Sequence, residues 1–376
     1  MHPSFMHGTS PTATTGVGES VKMSKIKESP IGSQGDVSAC DEQASSSTKG
    51  RTKELHSAKS GKKDEFYTQL SDIEKEMRYY KKHFNGKTIL CNCDDPYASN
   101  FFLHFFRKFS MYGLKKLVSV CYKNCEPDLF SRNTDDHSIY LEYTGGADES
   151  RDPTKEEIAQ WVHPLKGDGD FRSGECIELL KQADIVTTNP PFSLFREYIA
   201  QLIEHDKRFL IIGNVNAITY KEVFPLVRDN KMWMGASIHS GDREFGVPKD
   251  YPLYAAGCRT DEDGNKFIRV KGVRWFTNLD YKERHEELPL YEEYSPAKYP
   301  KYDNYDAINV DATAAIPSDY DGVMGVPITF LDKYNPEQFE IVGNEYTLNI
   351  DKGRGYVNGK RLYGRLFIRK IKKEAK

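Results

Sequence analysis

The stretch ADIVTTNPPFSLFREYI, residues 183–199, decides how the chain is read. Asp184–Thr188 is a short β-branched run of the kind that forms a buried strand, and Ser193–Glu204 has the pattern of an amphipathic helix. Between them stand two adjacent prolines. Proline has no N–H and pushes the residue before it toward extended geometry, so Asn189-Pro190-Pro191 is a stiff corner whose carbonyls are free to accept. Asn189 adds a side-chain oxygen at the same place, and Phe192 supplies a flat apolar face. Rigid acceptors beside an aromatic plate suit a planar amine, with the acceptors holding the NH2 hydrogens and the ring stacking on the heterocycle. The plainer alternative is a proline-stiffened loop with Ser193 as helix N-cap.

Outward from this corner, strands and helices alternate. KTILCNC (87–93) reads as a strand, followed by a helix with the apolar face Phe101, Phe102, Phe105 and Phe109. LKKLVSVCY (114–122) and SIYLEY (138–143) read as strands, with a helix near 154–162 and another at 173–182. RFLIIGN (208–214) is a further apolar strand, and a helix follows around 219–229. Upstream, Leu70, Ile73, Met77, Tyr80 and Phe84 recur at helical spacing, with Ser71 and Glu74 set as a capping box. Such alternation predicts an α/β fold with a parallel sheet covered on both faces. From about 231 the pattern turns strand-like, and beyond 281 the chain is rich in Tyr, Pro and Asp. Asn358-Gly359 between strand-like runs predicts a hairpin. Three regions follow: an extension at 1–62, an α/β domain at 63–280 and a C-terminal region at 281–376. The extension has Phe5 as its only aromatic residue and is expected to be disordered, because it cannot bury enough surface to offset its ordering entropy.

At 376 residues the chain can bury a large core. Its net charge of -3 conceals a local asymmetry, since Lys352–Lys376 holds ten Lys or Arg and one acidic residue. Seven irregularly spaced cysteines give neither a disulfide framework nor a zinc-finger set, which points to a reducing, cytoplasmic setting and to no metal. No apolar run reaches membrane-spanning length, so no membrane association is expected.

In open α/β sheets, ligands bind at the carboxyl ends of strands. Three segments fall there: CDDPYASN (93–100), GDGDFRSGE (167–175) and the Asn-Pro-Pro-Phe corner itself. Asp94 and Asp95 lie at the turn into a helix, where helix capping alone would also account for them. Asp170 beside Phe171 offers an acceptor next to a ring, and the loop fails as a calcium site because later ligand positions are missing.

Asn-Pro-Pro-Phe after an apolar strand resembles the catalytic motif of amino-group DNA methyltransferases, and DEFYT (64–68), CDDPY, GDF, NPPF and RFLIIGN fall in that family's order. The chain is most similar to the EcoRI-type adenine-specific methyltransferases, over roughly 61–376, through NPPFSLFREY, GNVNAITYKEVFP, VRWFTNL and GVMGVPITFLDKYNPEQFE. The resemblance implies a class I, Rossmann-like, seven-stranded mostly parallel sheet with a C-terminal target-recognition region. It implies S-adenosyl-L-methionine as cofactor, held by Phe66, Tyr67, Thr68, Asn92, Asp94, Asp95, Pro96, Asp170, Phe171 and Asn189. It implies Asn189, Pro190, Pro191 and Phe192 as the catalytic corner, acting on the N6 amine of an adenine flipped out of double-stranded DNA. Arg354, Lys360, Arg361, Arg365 and Arg369, interleaved with Tyr356, Tyr363 and Phe367, are the expected DNA contacts, with Arg243 and Lys249 as further candidates. The enzyme would act as a monomer on DNA, with room for a cognate restriction endonuclease reading the same site. The sequence departs from the family pattern in two places. Tyr97, Ala98, Ser99 and Asn100 stand where the first cofactor turn is usually glycine-rich, and no acidic residue closes the second strand, leaving Glu126 and Glu142 as candidates for the ribose. The same motif also serves methyltransferases acting on RNA or protein amino groups, and a non-catalytic DNA-binding protein of this fold is the alternative from another class.

Overall fold

The structure is a computed structural model that describes residues 66–121, 138–248, 251, 253, 257–350 and 353–372. The expected extension at 1–62 lies outside these residues, as do Asp64, Glu126 and Lys249.

The opening stretch folds largely as read. Ile185–Thr188 is a fully buried strand, and Phe195–Glu204 is a helix that buries Phe195, Tyr198, Ile199 and Leu202. Ser193 is not its N-cap. The prolines hold the chain extended, with Pro191 at ψ 122°, so the backbone first makes a 3-10 turn at Phe192–Leu194 and enters the α-helix through Leu194, which has no side-chain cap. The Leu194 N–H is satisfied instead by the Pro191 carbonyl at 3.0 Å.

The strand lies in an eight-stranded sheet, in the order Val162–Pro164, Ile139–Tyr143, Lys116–Cys121, Thr88–Cys91, Ile185–Thr188, Arg208–Asn214, Val273–Thr277, Trp233–Met234. The central four strands are mutually parallel. Both flanks are antiparallel. The expected sheet was seven-stranded and mostly parallel; the observed sheet has one more strand and is parallel only at its centre. Helices Asn100–Arg107 and Phe195–Glu204 follow central strands and supply crossovers, whereas Gly272, at φ +70°, turns Lys266–Lys271 directly into Val273–Thr277.

Helix Leu70–Met77 buries Ile73 and Met77, and Tyr80 and Phe84 continue the same core face. Its capping box does not form. Tyr67–Thr68 pairs as a strand with Phe245 and Gly246, so the extended chain ends at Thr68 and the helix starts after Gln69, with Ser71 already inside it. A capping box forms instead at Thr154 and Glu157, before helix Lys155–Trp161.

Two further four-stranded sheets complete the fold. One joins Tyr67–Thr68, Asp242–Val247, Lys266–Lys271 and Arg259–Thr260, all antiparallel. The other joins Ile308–Asn309, Met324–Pro327, Arg365–Lys370 and Phe339–Asn344. The Asn358-Gly359 hairpin is present, with both residues at positive φ (51° and 74°) between Tyr356–Val357 and Lys360–Arg361. Residues beyond 280 share one core with the central sheet's helices: Tyr198, Ile199 and Phe224 belong to the same apolar cluster as Ile308, Val326, Phe330 and Phe339. A buried ion pair, Arg274 Nε to Asp332 Oδ1 at 2.8 Å, also joins the two parts. Among the described residues no helix is long and apolar enough to cross a membrane.

Candidate active site

Thr88–Cys91 has Lys116–Cys121 on one side and Ile185–Thr188 on the other. The chain thus reverses its direction of winding at the gap between Thr88–Cys91 and Ile185–Thr188, which is where such sheets bind ligands. Asn92, Asp94 and Asn189 are brought to the carboxyl edge of that gap.

Asp94 is the best-enclosed carboxylate there, 8% exposed. Its Oδ1 accepts from Ser99 Oγ at 2.7 Å, and Oδ2 accepts a short bond from the Thr188 hydroxyl. Ser99 also N-caps helix Asn100–Arg107, accepting from the N–H groups of Phe101 and Phe102, so its proton is committed to Asp94. Burial raises the Asp94 carboxyl to about 6, against the lowering effect of the two hydroxyls. Asp95 instead shapes the turn, accepting from Tyr97 N at 2.9 Å, while its carbonyl accepts from Ala98 and Ser99. Pro96 is buried within that turn. The place of the expected glycines is filled by this Asp-Ser network. Asn92 is also buried; its Oδ1 accepts from Tyr198 Oη, and its Nδ2 has no protein partner.

One residue beyond Thr188, the Asn189 amide is fixed by geometry. Its Nδ2 donates to the Phe66 carbonyl at 2.5 Å, and its Oδ1 is buried without a partner. The Phe66–Thr68 segment is itself pinned, since Thr68 O accepts from Asn100 Nδ2 at 2.8 Å and the strand pairs with Phe245 and Gly246. Phe192 packs edge-on to Phe66 at 5.8 Å and to Phe245 at 6.4 Å, and Phe66 also meets Tyr251 at 6.4 Å. The residue whose carbonyl holds Asn189 therefore has its ring packed against rings from two other parts of the chain.

The Gly167–Asp170 loop crosses the end of Lys116–Cys121. Gly169 has φ +77°, and a Cβ there would lie 2.4 Å from the Cys121 carbonyl oxygen, so glycine is required for the approach. Asp170 is held by Arg172, with Nε to Oδ1 at 2.9 Å and a terminal nitrogen to Oδ2 at 2.6 Å. Phe171 lies in the core, edge-on to Tyr198 at 5.0 Å, with 4% of its surface exposed. Glu142 pairs with Lys116 at 2.8 Å and lies opposite Val118, three residues back from the strand's carboxyl end. That position is away from the ligand-binding edge.

The basic residues divide. Lys360 and Arg361 are exposed on the hairpin, near the highly exposed Tyr363, and the Arg354 guanidinium stacks 5.6 Å from the ring of the exposed Tyr346. Arg365 is turned inward and paired with Asp311 at 3.2 Å, and Arg369 pairs with Glu340 at 3.1 Å. Phe367 is fully buried, and Arg243 lies against Asp72 at 4.0 Å.

Several residues that build the site had no separate signal in the sequence. Thr188 reads as a strand end, Ser99 only as one of the residues in place of the usual glycines, and Tyr198 as one position of an amphipathic helix. Phe245 stands more than fifty positions from Phe192, so only folding associates them.

Comparison with known proteins gives the family. The family model for the adenine-specific methyltransferase EcoRI matches residues 54–371. The type II methyltransferase M.EcoRI of Escherichia coli is 50% identical over 317 residues, covering 84% of this chain and 95% of the relative. M.MpnI of Mycoplasma pneumoniae is 39% identical over 330 residues, covering 83% and 96%, and M.MgeORF184P of Mycoplasma genitalium is 39% identical over 332 residues, covering 83% and 97%. No solved structure matches the chain significantly. With a family match extending from residue 54 to residue 371 and a relative 50% identical over 84% of this sequence, the chain belongs to the EcoRI family of adenine-specific methyltransferases.

Proposed function

We propose that this adenine-specific DNA methyltransferase acts on the N6 amine of an adenine flipped out of the duplex, through Asn189, Pro190 and Phe192, with S-adenosylmethionine as donor. The single observation that carries the reading is the Asn189 amide: Nδ2 is tied to the Phe66 carbonyl, and Oδ1 is buried and unsatisfied. A buried acceptor without a partner costs about 1–3 kcal/mol, and an incoming amine would relieve it. The Pro191 carbonyl already accepts from the Leu194 N–H, and the Pro190 carbonyl is the proposed second acceptor.

Adenine N6 is a weak nucleophile because its lone pair is delocalised into the ring. Asn189 Oδ1 and the Pro190 carbonyl, accepting its two hydrogens, favour a tetrahedral nitrogen and localise the lone pair. Phe192 offers the stacking face, and Phe66, Phe245 and Tyr251 wall the same space. No covalent enzyme intermediate is needed, so catalysis is positioning and electrostatics. An amine stacked in a duplex cannot reach this corner, which is why the base must be extruded.

The residues present fit a cationic cofactor. Asp94 is a desolvated carboxylate whose side-chain bonds come from the Ser99 and Thr188 hydroxyls, and Asn92 Nδ2 is a buried donor without a protein partner. S-adenosylmethionine supplies an electrophilic methyl group on a sulfonium sulfur when bound. Asp94, Asn92, Asp95, Pro96 and the Phe66–Thr68 segment would hold it, with Asp170 and Phe171 at the edge of the site. The sheet is then a class I methyltransferase core whose flanks have been extended. The exposed Lys360 and Arg361 and the partly buried Arg354, with Tyr346 and Tyr363, are proposed as phosphate-contacting residues of a target-recognition region. The enzyme is proposed to work in the cytoplasm as a monomer on DNA, alongside an endonuclease of the same specificity.

Purified protein given labelled S-adenosylmethionine and unmethylated genomic DNA is expected to yield N6-methyladenine at one short sequence. Folded, cofactor-bound protein that labels no mixed-sequence DNA would refute the proposal. Label appearing on RNA or protein instead would move it to another substrate.

A further inference from the structure

We propose that the Phe66 backbone carbonyl is the positioning group for Asn189 and the reason that residue 189 must carry an amide. The inference rests on reading Asn189 as the amine acceptor and concerns how that acceptor is aimed. A carboxamide has two ends of nearly equal shape and opposite hydrogen-bonding character, so an unrestrained one would present NH2 to the target amine as readily as oxygen. A carbonyl can only accept. The 2.5 Å contact therefore commits Nδ2 to Phe66 and leaves Oδ1 facing the buried space.

Phe66 is well anchored for this task. The strand Tyr67–Thr68 is in register with Gly246 and Phe245, Thr68 O is held by Asn100, and the Phe66 ring is packed among Phe192, Phe245 and Tyr251. Charged groups on the surrounding elements are engaged elsewhere. Asp94 bonds Ser99 and Thr188, Glu244 pairs with Arg259, Glu197 with Arg172, Arg243 lies by Asp72, and the Arg196 guanidinium sits 4.7 Å from the Tyr220 ring.

Asn189→Asp tests the inference because acceptor chemistry and aiming make opposite predictions. A carboxylate accepts hydrogen bonds from an amine more strongly than an amide does, so acceptor strength alone predicts activity at every pH. Against the Phe66 carbonyl, however, the new carboxylate would set oxygen against oxygen unless it bound a proton. Protonated, it donates to Phe66 and keeps a carbonyl oxygen for the amine. The ratio of variant to wild-type turnover is therefore expected to be highest at acid pH and to fall about tenfold per pH unit above the pKa of the new carboxyl. Taking the ratio cancels the titration of Asp94, which both proteins share. A ratio that stays flat from pH 5 to 9 in an active variant would overturn the inference.

If the variant is inactive throughout, its unfolding carries the test. A carboxyl opposed by Phe66 has a raised folded pKa, so the variant should lose stability relative to wild type as pH rises from about 4 to 8. A pH-independent stability difference would overturn the inference. Asn189→Ala separates this inference from the underlying functional reading: activity retained there would remove Asn189 as the acceptor, while the stability comparison would still report on the Phe66 contact.

Discussion

Replacing Asp94 with Asn is expected to stabilise the cofactor-free protein at neutral pH while weakening cofactor binding. Burial lifts the Asp94 carboxyl from 3.8 to about 6. A group whose folded pKa is raised contributes stability below its unfolded pKa and loses it as pH rises through the folded value. For Asp94 that window runs from 3.8 to about 6. Roughly two pKa units at 1.36 kcal/mol each amount to about 3 kcal/mol of cost at pH 7 and above. Asparagine does not titrate and is free of that cost. It would keep the Ser99 bond through its oxygen and require the Thr188 hydroxyl to accept rather than donate, a rearrangement costing about 1 kcal/mol at any pH. Urea unfolding of both proteins from pH 4 to 8 should show the stability difference shifting toward the variant by about 3 kcal/mol across the window. Calorimetric titration at pH 8 should show weaker S-adenosylmethionine binding. A stability difference that does not change with pH, or that moves toward wild type as pH rises, would refute the account of Asp94 as a desolvated carboxylate. Unchanged cofactor affinity would detach it from the cofactor.

Three other outcomes are expected. Asn189→Ala should abolish methyl transfer while leaving S-adenosylmethionine affinity within a few-fold, as read by single-turnover assay and calorimetry; parallel loss of binding would place Asn189 in the cofactor site. The double substitution Lys360→Ala with Arg361→Ala should weaken binding to specific and non-specific duplexes alike and reduce the slope of log affinity against log salt by about 2, measured by fluorescence anisotropy. An unchanged slope would remove the hairpin from the DNA interface. Gly169→Ala forces a Cβ toward the Cys121 carbonyl at a positive φ, so it should displace the Gly167–Asp170 loop and weaken S-adenosylmethionine binding about tenfold, with DNA affinity preserved.

Much of the fold was legible because its signals are local. The alternation of apolar strands with amphipathic helices, the proline corner and the Asn358-Gly359 turn each depend on a few neighbouring residues, and each appears in the structure. The capping box expected at Ser71 and the alternative reading of Ser193 as an N-cap fail for one reason. Each helix start is set by an extended segment before it: Tyr67–Thr68 by pairing with Phe245 and Gly246, and Pro190-Pro191 by ring closure. The count and direction of the flanking strands were not legible, because pairing partners come from anywhere along the chain.

The basic C-terminal run shows the same limit. Its charge is plain in the sequence, but Arg365 turns inward to Asp311 while Lys360 and Arg361 stay exposed, and strand register and burial decide between them. At the proposed active site, the sequence by itself determined which groups are available: Asn189, Pro190, Pro191 and Phe192 at the end of one strand, and the acidic turn Asp94-Asp95 at the end of its neighbour. Only the tertiary structure decided how those groups are aimed. Thr188 and Ser99 close on Asp94, and the Phe66 carbonyl, 123 residues before Asn189, takes one end of the amide and leaves the other unsatisfied. A hydrogen bond between groups so far apart in the chain has no local signature, because neither residue's own neighbours specify it.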